Sequence, residues 1–154
     1  MSEATVDASG AAGAAGSRRW ADLPGPELAA RLTSESILVL PTGAIEHHGP
    51  HLPLSTDLVM AEMLAERIVD AAAAAGHDVW LLPALGATKS DEHSWAPGTL
   101  WLSASTFASV INDLGRSIAT TKARTVLFYN GHGGNIAPLN VALRELRRQF
   151  GLRT

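Results

Sequence analysis

Ser36-Ile-Leu-Val-Leu-Pro-Thr-Gly-Ala-Ile-Glu-His-His-Gly-Pro-His-Leu-Pro-Leu-Ser-Thr-Asp57 joins an apolar run to a polar cluster in one stretch. The run Ser36 to Pro41 is short and nearly continuous in Ile, Leu and Val, the pattern of a strand buried on both faces of a parallel sheet. The cluster from Glu46 to Asp57 holds two carboxylates and three imidazoles. Gly49, Pro50 and Pro53 exclude a continuous helix through it. After it, Asp57 to Ala75 carries Leu58, Met60, Met63, Leu64, Ile68 and Val69 at helical spacing, and Gly76 is a natural stop.

The same order of strand, loop and helix continues outward. Upstream, a short helix is expected over Pro26 to Leu32, behind the breaker Pro24-Gly25. Downstream, Asp78 to Pro83 reads as a second strand, and residues 84–102 as a long loop with Glu92-His93 and Pro97-Gly98-Thr99. Ser103 or Ser105 then caps a helix towards Ala123, with Phe107, Val110, Ile111, Leu114 and Ile118 on one face. Thr125 to Tyr129 reads as a third strand, followed by Asn130-Gly-His-Gly-Gly-Asn135. A last helix is expected over Ile136 to Phe150, with Leu139, Leu143 and Leu146 inward and Arg144, Arg147 and Arg148 outward. This alternation predicts an α/β fold with a mostly parallel sheet and helices on both faces. A sheet of three strands is narrow for such a fold, so we expect the domain (residues 18–154) to be an N-terminal portion that continues past Thr154. Residues 1–17, mostly Ala, Gly and Ser, are expected to be a disordered lead-in without the features of a signal peptide.

Composition narrows the function classes. The 154 residues are 46% hydrophobic and 18% charged, with a net charge of -3, so composition offers no electrostatic argument for nucleic acid or an acidic membrane surface. There is no cysteine, so any metal must be held by His and carboxylate groups. The apolar runs are shorter than the roughly 20 residues that cross a bilayer, and the cytoplasm is the default compartment.

In parallel sheets, ligands bind beyond the carboxyl ends of the strands. The Glu46–Asp57 loop follows strand one and the His132 loop follows strand three, so the two should meet on one edge. Glu46 and His48 are separated by one residue and project the same way in extended chain. Asp57 reads either as a metal ligand or as a helix cap, and Ser55 or Thr56 offers an alternative cap. His132 reads either as a ligand or as a loop histidine bonded to backbone. His51, Glu92 and His93, with Gly133 and Asn135 of the glycine loop, are candidates for substrate contact or for support behind the ligands. His47 reads equally well as facing solvent.

Together, Glu46-His-His48-Gly-Pro-His-Leu-Pro-Leu-Ser-Thr-Asp57, Glu92-His93 with Pro97-Gly98-Thr99, and Asn130-Gly-His132-Gly-Gly-Asn135 resemble the creatininase (creatinine amidohydrolase) family, in order, over about residues 36–150. The resemblance implies a three-layer α/β fold, a dinuclear divalent-metal site with Zn foremost and Mn or Fe as alternatives, and hydrolysis of non-peptide C–N bonds in small amides. It also implies a homo-oligomer, often a hexamer. By position, Glu46 and His132 would bind one metal, His48 the other, and Asp57 would bridge them. Creatinine-hydrolysing members carry a glutamate ligand two residues after the loop histidine, where this chain has Gly134, so creatinine is not the expected substrate. Members with the His-Gly-Gly-Asn form are similar to deformylases of pyrimidine intermediates and to the peptidase that matures mycofactocin precursor. In these, a downstream glutamate completes the second metal site. That glutamate and the family's distal catalytic histidine are expected beyond Thr154. Two rival readings stand beside this one: a metal-free binding module that holds a phosphate or small molecule at the Gly131–Asn135 loop, and a non-catalytic subunit.

Overall fold

In the computed structural model, strand β1 (Ile37–Thr42) lies between β2 (Val79–Leu81) and β3 (Thr125–Asn130), all three parallel. The register sets Ile37 opposite both Val79 and Thr125. The central place of β1 explains its unbroken apolar sequence: five of its six residues are buried. The structure describes residues 16–154. Nearly all of the expected lead-in over residues 1–17 therefore lies outside the described residues.

Helices α1 (Gly25–Arg31), α2 (Thr56–Ala74), α3 (Ala104–Ala119) and α4 (Ile136–Phe150) cover both faces of the sheet. Alternate strand residues divide the core in two. Leu38, Leu40, Trp80 and Val126 point to a cluster with Leu28 of α1, Phe107, Ile111 and Ile118 of α3, and Leu139 and Leu146 of α4. Val39, Val79 and Leu81 point the other way, onto Ala65 and Val69 of α2. The fold is thus a three-layer α/β arrangement, as the sequence led us to expect. Phe107 is fully buried at the centre of the larger cluster. Phe107→Ala is expected to cost about 3–5 kcal/mol of stability in urea unfolding, and an unchanged midpoint would show that this layer is not the main core.

The helix expected from Asp57 to Ala75 is present, and two other expectations need correction. In α2, Met60, Met63, Leu64 and Ile68 are 38–50% exposed, and Ala61, Ala65 and Val69 are buried. These three recur every four residues, and the two alanines let the helix lie close to the sheet. Helix α3 ends at Ala119, short of Ala123, because Thr120 and Thr121 turn their hydroxyls back onto Ser117 O and Ile118 O. Ser103 does cap α3, accepting from Thr106 N at 3.2 Å, whereas Ser55 makes no side-chain cap for α2 and Thr56 donates to Pro53 O instead.

The amino edge of the sheet is held by Asp78, which accepts hydrogen bonds from Arg18, Ser36 and Trp80. Burial pushes this carboxyl up, but Ser36, Trp80 and Arg18 together outweigh it and leave its pKa below the usual value. Beyond α4, Arg153 pairs in parallel with Thr125 along the outer side of β3. Among the described residues no helix is long and apolar enough to cross a membrane.

Candidate metal centre

The loops at the carboxyl edge converge because small residues let them. A Cβ at Gly43, just past β1, would collide with the backbone of Asp57 and Leu58. Glycine there lets the first turn of α2 sit directly on the strand end. Asn135, fully buried, then ties three loops together. Its Oδ1 accepts from Lys89 N at 3.2 Å, and its Nδ2 donates to Gly43 O at 3.3 Å and to Asn130 Oδ1 at 3.1 Å. Thr88, also fully buried, donates to Gly43 O at 2.6 Å. The carbonyl ends of all three strands are thereby locked in one arrangement.

On this platform Glu46, His48, Asp57 and His132 meet. Asp57 divides its two oxygens between two histidines: Oδ1 lies 2.9 Å from His48 Nε2, and Oδ2 lies 2.9 Å from His132 Nδ1. Glu46 Oε1 is 3.2 Å from His132 Nδ1 and 4.0 Å from His48 Nε2. One ligand-type atom from each of Glu46, Asp57 and His132 lies within 4.8 Å of the others. Glu46 and His132 are each only 5% exposed, so the carboxylate and the imidazole are largely withdrawn from water.

Backbone carbonyls fix both imidazole tautomers. A carbonyl can only accept, so His48 Nδ1 donates to Glu46 O at 3.1 Å, and His132 Nε2 donates to Lys89 O at 2.9 Å. In the neutral rings this leaves His48 Nε2 and His132 Nδ1 as bare lone pairs, each aimed at a carboxylate oxygen. Two lone pairs facing carboxylates repel unless a proton or a cation lies between them. The donor set of two carboxylates and two imidazoles, with no thiolate, suits a divalent ion of the Zn or Mn kind. Burial pulls the His48 pKa down, but the Glu46 carbonyl and the Asp57 and Glu46 carboxylates together hold it above the usual histidine value.

The remaining candidates are placed at different depths. Glu92 and His93 form a 3-10 turn beside the centre; Glu92 Oε1 is 3.3 Å from His132 Nε2, and His93 Nε2 is 3.9 Å from Glu46 Oε1. Gly133 is exposed, with open space where a side chain would stand. His51 is exposed and forms no ion pair among the described residues. His47 stands edge-on to Trp95 at a centroid distance of 5.1 Å. The sequence reading missed Ser90, which is fully buried and donates its hydroxyl to Glu46 Oε2, and Lys89, whose ammonium holds Glu92 Oε2 at 2.7 Å and Asp91 Oδ1 at 2.9 Å. The available signal was their position in the Thr88-Lys89-Ser90 segment just before Glu92-His93, on the same functional edge.

Comparison with known proteins places the chain in a family. A family profile described as creatininase, creatinine amidohydrolase, matches residues 21–154. The chain is 38% identical over 122 residues to a mycofactocin precursor peptide peptidase of Mycobacterium tuberculosis, covering 76% of this chain and 48% of that protein. It is 29% identical over 136 residues to the creatinine amidohydrolase of Pseudomonas putida, covering 82% of this chain and 50% of that one. A solved creatininase described as the Mn form superposes with a TM-score of 0.73 at 27% identity, over 89% of this chain and 57% of that one. A mutant creatininase described as Zn-Zn type gives 0.72 at 26%, with the same coverage. The chain belongs to the creatininase family. It spans about half the length of the curated relatives it matches.

Proposed function

We infer that this chain carries the metal-binding part of a hydrolase of amide C–N bonds, with Glu46, Asp57 and His132 holding one divalent cation and His48 the other. Asp57 would be shared between the two. The observation that carries the reading is the division of Asp57, one oxygen to each bare imidazole nitrogen, since a single carboxylate so placed can serve two cations. A divalent cation held there supplies Lewis acidity, which polarises an amide carbonyl and lowers the pKa of water. The chain's own part is to withdraw Glu46 and His132 from solvent, to fix both tautomers through Glu46 O and Lys89 O, and to orient Glu46 through Ser90. His93, beside Glu46, and exposed Gly133 line the approach for a small substrate. Carboxylates on this edge oppose an anionic ligand, which disfavours the phosphate-binding alternative. Turnover of formamides, cyclic amides or short peptides by the whole protein is expected to disappear on chelation and return with Zn2+ or Mn2+. Turnover that survives exhaustive chelation contradicts the reading.

Support for a substrate other than creatinine comes from the higher identity to the mycofactocin precursor peptide peptidase than to the creatinine amidohydrolase. The Gly134 position adds to it, since no ligand side chain projects from there. An assembled form is supported by the apolar side chains left exposed along α2, Met60, Met63, Leu64 and Ile68; sedimentation of the purified chain tests it, and a strictly monomeric chain contradicts it.

Acidity acts on the site in two opposite ways. With its pKa raised above 6.5, protonated His48 stabilises the metal-free fold fully below the unfolded-state value, and that contribution is lost as pH rises through the folded value. Metal requires the bare Nε2, so cation affinity is expected to fall as pH is lowered through the same range. Zn2+ titrations at about pH 8 and about pH 6, either side of the ordinary histidine value, measure this. Equal affinities at the two pH values contradict a role for His48.

A further inference from the structure

Gly134 stands where the creatinine-hydrolysing pattern has a glutamate, and the structure shows what occupies the vacated space. A Cβ built at residue 134 would run into Glu92 Oε1, His132 Nε2 and Lys89 O. These are the three atoms of a small network behind the His132 ring. Nε2 donates to Lys89 O at 2.9 Å, and Glu92 Oε1 lies 3.3 Å from the same nitrogen. The Glu92 carboxylate does not float there. Its other oxygen is held at 2.7 Å by the Lys89 ammonium, while the Lys89 backbone N–H is anchored on buried Asn135. One residue, Lys89, therefore both accepts the hydrogen bond of the imidazole N–H and aims the carboxylate.

The geometry points to Glu92 as a positioning residue for the His132 ligand, reaching Nε2 through space that only a glycine at position 134 leaves open. This inference rests on the metal-centre reading above. The physical basis is general. A carboxylate behind a metal-binding imidazole fixes the ring's orientation and tautomer and makes the opposite nitrogen a stronger donor, and its loss weakens metal affinity about 10- to 100-fold. In this chain the opposite nitrogen is Nδ1, the one facing Asp57 and Glu46. The glycine is thus not only a ligand lost from one position. It admits a carboxylate from another loop, contributed by the turn Asp91–His93.

The test uses Co2+ as the probe, with affinity read from a competing chelator and ligand geometry from the visible absorption bands. Glu92→Gln keeps the size of the side chain and removes its charge. It is expected to weaken Co2+ binding about 10- to 100-fold, to shift the visible bands, and to leave the unfolding midpoint of the metal-free chain unchanged. Asp91→Asn removes a neighbouring charge that pairs with Lys89 and should change affinity by no more than about twofold, within the small effects of exposed pairs. Gly134→Ala should weaken binding at least as much as Glu92→Gln, because it displaces both partners of Nε2. Equal affinity of Glu92→Gln and the parent chain overturns the inference, as does an equal loss in Asp91→Asn, which would mark a general charge effect. His132→Ala separates the two levels. If it abolishes Co2+ binding while Glu92→Gln does nothing, the centre stands and the role of Glu92 falls; if the parent chain binds no Co2+ at all, both fall.

Discussion

Asp57→Ala is expected to abolish tight divalent-metal binding, with affinity falling by more than about 100-fold, beyond the range typical of residues that only support a ligand. Asp57 lies within hydrogen-bond distance of both histidines, His48 through Oδ1 and His132 through Oδ2. Its loss removes the negative charge that lies between His48 Nε2 and His132 Nδ1. The fold should persist, because Asp57 sits in the first turn of α2 and its interaction with the helix dipole contributes no more than about 1 kcal/mol. A competition titration with a chromophoric chelator, alongside circular dichroism, measures both quantities. Retained nanomolar-class binding in a folded Asp57→Ala chain would remove Asp57 from the centre.

The second large effect is structural and reaches the same site from below. In Gly43→Ala the new methyl group would occupy space taken by the backbone of Asp57 and Leu58. Backbone cannot swing aside as a flexible side chain can, so the first turn of α2 must retreat from the end of β1. We expect a loss of about 3 kcal/mol, the upper part of the range for overpacking, together with weakened metal binding because Asp57 moves with the turn. Urea unfolding and the same chelator titration give the two readouts. A Gly43→Ala chain with unchanged midpoint and unchanged affinity would mean that strand and helix do not approach this closely.

The layered fold was legible because β1 carries its central position openly in Ile37-Leu-Val-Leu40, and because each loop with chemistry follows a strand. The meeting of Glu46, His48, Asp57 and His132 on one edge follows from that order together with the parallel sheet. Other features left no trace in the pattern. The apolar spacing of α2 marked the helix but not its buried face: the sheet takes the small side, Ala61, Ala65 and Val69, and leaves Met60, Met63, Leu64 and Ile68 exposed. Ser90 and Lys89 act through one hydroxyl, one backbone carbonyl and one ammonium, so their place just before Glu92-His93 marked the segment but not what each group does. Gly134 was readable as an absent ligand, but its positive role was not, because the side chain that needs the space comes from a turn far away in sequence.

Metal analysis of the purified chain, with the His132→Ala variant beside it, shows whether Glu46, Asp57 and His132 hold a divalent cation. Glu46, Asp57 and His132 offer three ligands to one ion, enough for an open site with a fourth position free. A second ion would have His48 and a share of Asp57 among the described residues. About one tightly held Zn2+ equivalent per chain and a weaker second are therefore expected, with the tight equivalent lost in His132→Ala. A chain that holds no Zn2+ after dialysis against trace metal, or a His132→Ala variant that holds as much as its parent, contradicts this assignment.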